Sequence, residues 1–273
     1  MKYDLIALDL DGTALSSNNE VQQSTVDAVR WAREQNVRVV ISTGRICGEA
    51  AEFAAKMGAD DYIVAAGGAA LGRVSDKRCY TRLAMPWEPS VRAAAILERV
   101  GLTTMAYLDG EIYMTPYSDF VFAQYKSNEG YLNSKVVVDS VAEAIAIGHL
   151  PVDKLFCRSA NRAMLQIARR QLEGIAGVRV MSSAEDNLEV VAPYADKGTA
   201  LGMLCAQFGT TLDRAAAVGD SENDLEMLAA VGMPVAMGNA DPRVKQLARY
   251  VTADNNHGGV AQAIYHVLER AGA

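Results

Sequence analysis

The feature that most constrains this chain is a short apolar segment, Leu5 to Leu8, followed by two aspartates one residue apart, Asp9 and Asp11. The segment predicts a buried β-strand, and residues i and i+2 of a strand point to the same side. Gly12 then allows the backbone to turn sharply. Two neighbouring carboxylates repel each other unless a cation lies beside them, so a divalent metal ion is the simplest explanation. The alternative is an acidic turn held by local Asx hydrogen bonds.

Composition narrows the classes of function. Half of the 273 residues are hydrophobic, which is enough for a sizeable core, and the formal net charge is −7. This balance argues against sequence-independent nucleic-acid binding, which needs a basic surface, but a metal and a few local cations can still hold a small anion. No stretch reaches the roughly 20 apolar residues of a membrane helix, and no signal peptide is expected. We therefore expect a cytoplasmic protein with four reduced cysteines, and the oligomeric state stays open.

Strand and helix patterns alternate at both ends of the chain and change in the middle. Short apolar strands separated by helices in residues 1–83, and again in residues 192–273, predict βαβ units around a parallel sheet. Pro86 and Pro89 mark a linker after the first part, and Asp109-Gly110 predicts a β-hairpin beyond it. We therefore expect an α/β core, 1–83 and 192–273, interrupted by an inserted α/β module at 84–191.

Three further segments place polar residues at predicted strand ends or helix starts. Ser42 to Arg45 offers a hydroxyl group and backbone N–H groups before a helix, which indicates either an anion site or an ordinary N-cap. Lys197 is predicted at the N-terminus of a helix, where the helix dipole disfavours a positive charge. Taken alone, such a lysine is best explained as exposed to solvent, but together with the other polar segments it indicates contact with an anion. Gly219 to Asp224 follows another strand, and Asp220 would join the first aspartate pair where open α/β sheets bind ligands. The alternative for this last segment is a capping acidic cluster.

Taken in order, these segments resemble the four motifs of the haloacid-dehalogenase-like (HAD) superfamily: Asp9 to Thr13, Thr43 to Arg45, Lys197-Gly198 and Gly219 to Asp224. The runs Gly232 to Ala240 and His257 to Val260 resemble its Cof-type sugar-phosphatase branch. The resemblance implies a doubly wound parallel-sheet HAD core, with residues 84–191 as an inserted α/β cap. True dehalogenases have no equivalent of Asp11, so its presence implies phosphoryl chemistry rather than carbon–halogen cleavage.

The resemblance also implies a Mg²⁺-dependent phosphatase that hydrolyses small phosphorylated metabolites, with sugar phosphates favoured, through an aspartyl-phosphate intermediate. Asp9 would be the nucleophile, and Asp11 the general acid and base. The Asp9 carboxylate, the Asp11 backbone carbonyl and the Asp220 carboxylate would hold Mg²⁺. Asp224 would orient the lysine or a metal-bound water. The phosphoryl oxygens would be held by five residues, namely Leu10 (through its N–H), Thr43, Gly44, Lys197 and Asn223.

Two other functions stay open at this point. A phosphosugar mutase on the same core would return the phosphoryl group to a sugar instead of to water. A non-catalytic phosphometabolite-binding protein is disfavoured by the intact set of Asp9, Asp11, Lys197 and Asp220. Cap residues that select the substrate are not marked by a motif. Four tyrosines could line a sugar site, although such residues more often serve packing: Tyr113, Tyr117, Tyr125 and Tyr131.

Overall fold

The computed structural model describes residues 3–123 and 128–270. Strands and helices alternate in the first part of the chain as β1 (Leu5–Leu8), α1 (Gln23–Glu34), β2 (Arg38–Ser42), α2 (Cys47–Met57), β3 (Tyr62–Ala65), β4 (Ala70–Arg73) and β5 (Cys79–Arg82). The middle part consists of α3 (Trp87–Arg99), β6 (Thr103–Leu108), β7 (Glu111–Met114), α4 (Pro116–Phe122), α5 (Glu129–Asn133), β8 (Lys135–Val137), α6 (Val141–Gly148), β9 (Lys154–Arg158), α7 (Arg162–Leu172), β10 (Arg179–Met181) and β11 (Asn187–Val191). The last part contains α8 (Lys197–Gln207), β12 (Ala215–Gly219), α9 (Leu225–Ala230), β13 (Met233–Ala236), α10 (Pro242–Leu247), β14 (Tyr250–Val251) and α11 (Gly259–Arg270).

The larger sheet has eight strands in the order β14-β13-β12-β1-β2-β3-β4-β5. The six strands from β14 to β3 run parallel, and β4 and β5 extend the sheet as antiparallel strands. Every residue of β1 and β12 is buried, which explains why their sequences are continuously apolar rather than alternating. Helix α1 packs against α11, and α8 against α9. The doubly wound α/β core predicted from the sequence is thus confirmed.

The second sheet has six strands in the order β10-β11-β9-β6-β7-β8, and all of its pairings except β7 with β8 are antiparallel. Helix α3 packs against both α6 and α7, and all three helices pack against this sheet. Asp109 and Gly110 both have positive φ angles, 53° and 84°, which is the geometry of the predicted hairpin turn. Each sheet has its own apolar cluster, and this supports the proposed division into a core and a cap.

Several element boundaries differ from the sequence-based expectations. Helix α3 begins at Trp87, inside the segment expected to be a linker, because Pro86 is its N-cap and Pro89 lies in its first turn, where a missing N–H is tolerated. The antiparallel strands β4 and β5 were not predicted, since they are short and the second is only partly buried.

In the part of the chain that the structure describes, no helix is long and apolar enough to cross a membrane.

Candidate active site

Three neighbouring parallel strands bring the predicted site residues to one edge of the larger sheet. The register pairs Leu8 of β1 with Ile41 of β2 and with Val218 of β12. The ends of these three strands therefore lie side by side, with Asp9 between Ser42, the last residue of β2, and Gly219, the last residue of β12. Gly12 has a φ of +78°, and a Cβ atom there would lie 2.4 Å from Oδ2 of Asp220. A residue with a side chain would therefore collide with Asp220 as well as strain the turn.

Lys197 is the centre of the candidate site. Its side chain is fully buried, and its Nζ lies 2.7 Å from Oδ1 of Asp9, 2.7 Å from Oδ1 of Asp224 and 3.3 Å from Oδ1 of Asn223. Burial alone would lower the pKa of Lys197, but the carboxylates of Asp224 and Asp9 outweigh it and raise that pKa above its usual value. The lysine is therefore a permanent cation beside the proposed nucleophile.

Asp224 is held by the turn that precedes α9. Its Oδ2 accepts the backbone N–H groups of Asp220, at 2.9 Å, and of Ser221, at 3.1 Å, while its Oδ1 accepts from Lys197. Ser221 and Asp224 form a capping box, so the sequence around this turn orients the carboxylate locally. This geometry agrees with the proposed role of Asp224 in orienting Lys197.

Three carboxylates form a cluster that fits a metal ion. Oxygen atoms of Asp9, Asp220 and Asp224 lie within 4.8 Å of one another, and Thr13 Oγ1 donates a 2.9 Å hydrogen bond to Asp220. Burial raises the pKa of Asp9 well above its usual range, against the effect of Lys197, and burial with the Asp224 charge raises the pKa of Asp220 to about 7. Without a bound cation, Asp9 and Asp220 therefore bind protons more readily than free carboxyl groups do, and a divalent cation would favour their ionised forms. The donors of the cluster are the hard oxygen atoms that such cations prefer.

The Asp11 side chain is not part of this cluster. It is 57% exposed, and both of its oxygens accept hydrogen bonds from Arg45, at 2.9 Å from Nε and 2.6 Å from Nη2. The buried guanidinium also contacts Glu49 and Asn19, at 2.5 and 2.6 Å. Arg45 was not included among the predicted site residues. Its position directly after Thr43-Gly44 indicates that Arg45 lies near the site, but only the fold shows that its guanidinium group binds the Asp11 carboxylate.

The other predicted phosphate-binding residues differ in exposure. Gly44 and Asn223 line a cavity of approximately 800 Å³ at this edge of the sheet, together with Asp9 and Asp11. Leu10 and Thr43 are fully buried, and Thr43 Oγ1 accepts the backbone N–H of Arg45 at 3.2 Å. Gly44 and Asn223 thus share the cavity with Asp9, whereas Leu10 and Thr43 are not among its lining residues, and the contacts of all four with a substrate stay predictions.

The cavity continues into the second sheet, so cap residues form its opposite wall: Met105, Tyr107, Phe122, Lys154, Phe156, Arg158, Ser183, Asn187 and Glu189. None of these was predicted. Glu189 did carry a signal, because it is a charged residue between the apolar residues Leu188 and Val190 of β11. Of the four tyrosines considered for a sugar site, the three described ones are not among the residues that line this cavity, and the alternative of a packing role stays open for them. Tyr131 is buried in the cap, Tyr113 and Tyr117 lie elsewhere, and Tyr125 is outside the described residues.

Comparison with known proteins gives one consistent family. A model of the haloacid dehalogenase-like hydrolases matches residues 6–264. Phosphatase YwpJ of Bacillus subtilis is 30% identical over 97% of this chain and 99% of its own length. The phosphoglycolate phosphatase of Methanothermobacter thermautotrophicus is 29% identical over 95% of this chain and 96% of its own.

Two solved structures show the same fold across nearly the whole chain. A haloacid dehalogenase-like hydrolase from B. subtilis superposes with a TM-score of 0.86 at 27% identity, over 97% of this chain and all of that one. The subclass IIB sugar phosphatase BT4131 superposes with a TM-score of 0.82 at 22% identity, over 97% of this chain and 98% of that one.

Proposed function

Because the chain belongs to the Cof-type haloacid dehalogenase-like hydrolases, we propose that it is a Mg²⁺-dependent phosphatase of small phosphorylated metabolites, with sugar phosphates favoured. One observation carries this proposal. A fully buried lysine contacts Asp9 at the end of the central strand, inside an acidic cluster that opens onto a cavity shared by core and cap. Relatives of nearly the same length are named phosphatases, which supports the same reaction class here.

In the proposed reaction, a carboxylate oxygen of Asp9 attacks phosphorus while the bond from phosphorus to the leaving alcohol oxygen breaks. Asp11 donates a proton to that oxygen and later removes one from the water that attacks the aspartyl-phosphate. Water then releases inorganic phosphate and restores Asp9. Lys197 keeps a positive charge next to the transferring group throughout, which stabilises the added negative charge on its oxygens.

The donor set around Asp9 fits the proposed Mg²⁺. Asp9 and Asp220 would hold the ion with their carboxylates, and Asp11 with its backbone carbonyl. Asp224 is less suited, because its oxygens already accept from Lys197 and from two backbone amides. When bound, Mg²⁺ would reduce the repulsion between the anionic nucleophile and the anionic phosphate.

The proposal is tested by measuring phosphate release from sugar phosphates, phosphoglycolate and an aryl phosphate, with Mg²⁺ and with excess chelator. Wild-type protein should release phosphate only with the metal, and Asp9→Asn should not. The exposed Asp27 on α1 provides a matched control, so Asp27→Asn should behave like wild type. An isomerised sugar phosphate without free phosphate would identify a mutase, and the absence of turnover with every substrate would contradict the proposal.

A further inference from the structure

A buried ion pair lies on the cap wall of the cavity. Lys154 Nζ is 3.0 Å from Oε2 of Glu189, both side chains are 2% exposed, and Ser183 Oγ donates to the other oxygen of Glu189 at 2.5 Å. Burial would raise the pKa of Glu189, but Lys154 and Ser183 lower it below its usual value. The pair is therefore charged, although charged groups at this depth are costly unless they are fully partnered.

Strand register explains why this pair faces the core. Tyr107 pairs with Lys154 between β6 and β9, and Phe156 pairs with Glu189 between β9 and β11. Since Lys154 and Phe156 are two residues apart on β9, all four side chains project from one face of the cap sheet. All four line the cavity, so this is the face that looks onto Asp9 and Asp11.

The pair also contacts the core directly. Lys154 Nζ donates a 2.5 Å hydrogen bond to the backbone carbonyl of Gly44, which is 110 residues away in the sequence. A Cβ atom at position 44 would lie 3.2 Å from Lys154 Nζ and 3.7 Å from both carboxylate oxygens of Glu189. Glycine at this position therefore lets the pair approach the turn closely.

The bonded carbonyl belongs to the peptide unit that joins Gly44 to Arg45. The N–H of that unit donates to Thr43 Oγ1, and the Arg45 side chain holds both oxygens of Asp11. A continuous set of polar contacts thus runs from the cap sheet to the proposed general acid. Lys154 touches neither Asp9 nor Asp11 in this set, so it acts through the turn.

We propose that Lys154, held by Glu189, is a positioning residue that fixes the Gly44–Arg45 peptide and thereby places Arg45 and Asp11 when the cap rests on the core. This inference rests on the proposed function, because it assumes that Asp11 protonates the leaving group. It implies that the cap affects the chemistry as well as the choice of substrate.

The dependence on the leaving group separates this role from a purely structural one. An alkyl phosphate needs a proton on its departing oxygen, whereas an activated aryl phosphate leaves as a stable anion and needs little help. The value of kcat/KM reports only the steps through formation of the aspartyl-phosphate, so it isolates this proton transfer from the later attack by water. Misplacement of Asp11 should therefore lower kcat/KM for alkyl phosphates selectively.

The test compares Lys154→Met/Glu189→Gln with wild type, using a sugar phosphate and 4-nitrophenyl phosphate. The double variant removes both charges of the pair together, so neither member is left without the other, and melting temperature confirms that it folds. We expect kcat/KM for the sugar phosphate to fall about ten- to a hundred-fold, and that for the aryl phosphate to stay within about threefold. Asp11→Asn should show the same selectivity.

Arg179→Met provides the matched control, because Arg179 of β10 forms another cap–core ion pair, with Glu226 at 3.0 Å, and does not touch Gly44. This variant should change kcat/KM by the same factor for both substrates. Equal losses for both substrates in the double variant would leave the ratio of the two kcat/KM values unchanged. The pair would then only hold the cap on the core, and this outcome would overturn the inference.

Hydrogen–deuterium exchange gives a readout that does not depend on activity. The amide of Arg45 should exchange faster in the double variant and at the wild-type rate in Arg179→Met. Unchanged exchange in the double variant would contradict the positioning role. If wild-type protein hydrolyses neither substrate, the proposed function fails, while the exchange rates still decide whether Lys154 fixes the turn.

Discussion

Replacement of Lys197 by methionine should destabilise the protein in a way that depends on pH. The side chain is fully buried, and its Nζ is 2.7 Å from both Asp9 and Asp224, so Lys197→Met leaves two buried carboxylates without their cation. Breaking a buried ion pair from one side costs about 3–5 kcal/mol. At roughly 2–4 °C per kcal/mol for a chain of this size, the melting temperature should fall by roughly 6–20 °C at pH 8 without divalent ions.

The pH dependence follows from the Asp9 carboxyl. Its pKa in the folded protein is already raised by burial, and loss of the ammonium group raises it further. A group whose folded pKa exceeds its unfolded value, about 4, favours the folded state most at low pH, and this contribution is lost as pH rises through the folded pKa. The deficit of Lys197→Met relative to wild type should therefore be smaller at pH 5 than at pH 8.

Thermal melts of both proteins at pH 5 and pH 8, with and without Mg²⁺, measure this effect. Added Mg²⁺ should recover part of the loss, since it supplies positive charge to the same carboxylates. Lys56→Met, at an exposed position on α2, controls for the change from lysine to methionine and should melt like wild type. A deficit of less than about 2 °C at pH 8, or one equal at both pH values, would refute this account of the site.

Four further outcomes are expected. Asp9→Asn should abolish phosphate release with little change in melting temperature, because Asp224 remains as the partner of Lys197. Activity within about tenfold of wild type, which is only about 1.4 kcal/mol of barrier, would contradict a covalent mechanism. Chelation of divalent ions should stop turnover, Mg²⁺ should restore it, and Ca²⁺ should restore it poorly because it prefers longer bonds and more ligands; full activity in chelator would exclude the metal's role. Asp11→Asn should slow turnover about a hundred- to ten-thousand-fold while Mg²⁺ affinity by calorimetry stays near wild type, and a matching loss of affinity would make its side chain a ligand. Phe156→Ala, which enlarges the cavity at its cap wall, should change the order of preference among phosphorylated metabolites, and an unchanged order would mean that Phe156 does not select the substrate.

Much of the core could be predicted because its signals are local. The apolar strand before Asp9, the turn at Gly12 and the Asp109-Gly110 hairpin each depend on a few consecutive residues, and each has the expected backbone. Parallel strands also place their carboxyl ends at one edge, so the approach of Asp220 to Asp9 followed from the order of strands and helices. Short elements such as β4 and β5 carry too few residues for a clear pattern.

The sequence by itself determined which residues could do chemistry in the core, since motif spacing and strand ends are properties of the chain. Only the tertiary structure decided which side chains touch. Lys197 meets Asp9 across 188 residues, and Lys154 meets Gly44 across 110. An alternating pattern in a cap strand shows that the two faces of the sheet differ in polarity. The packing of the cap on the core decides which core residues the polar side chains contact. The physical reason is that buried charges must find partners in space, and no local pattern records the partner that a distant strand supplies.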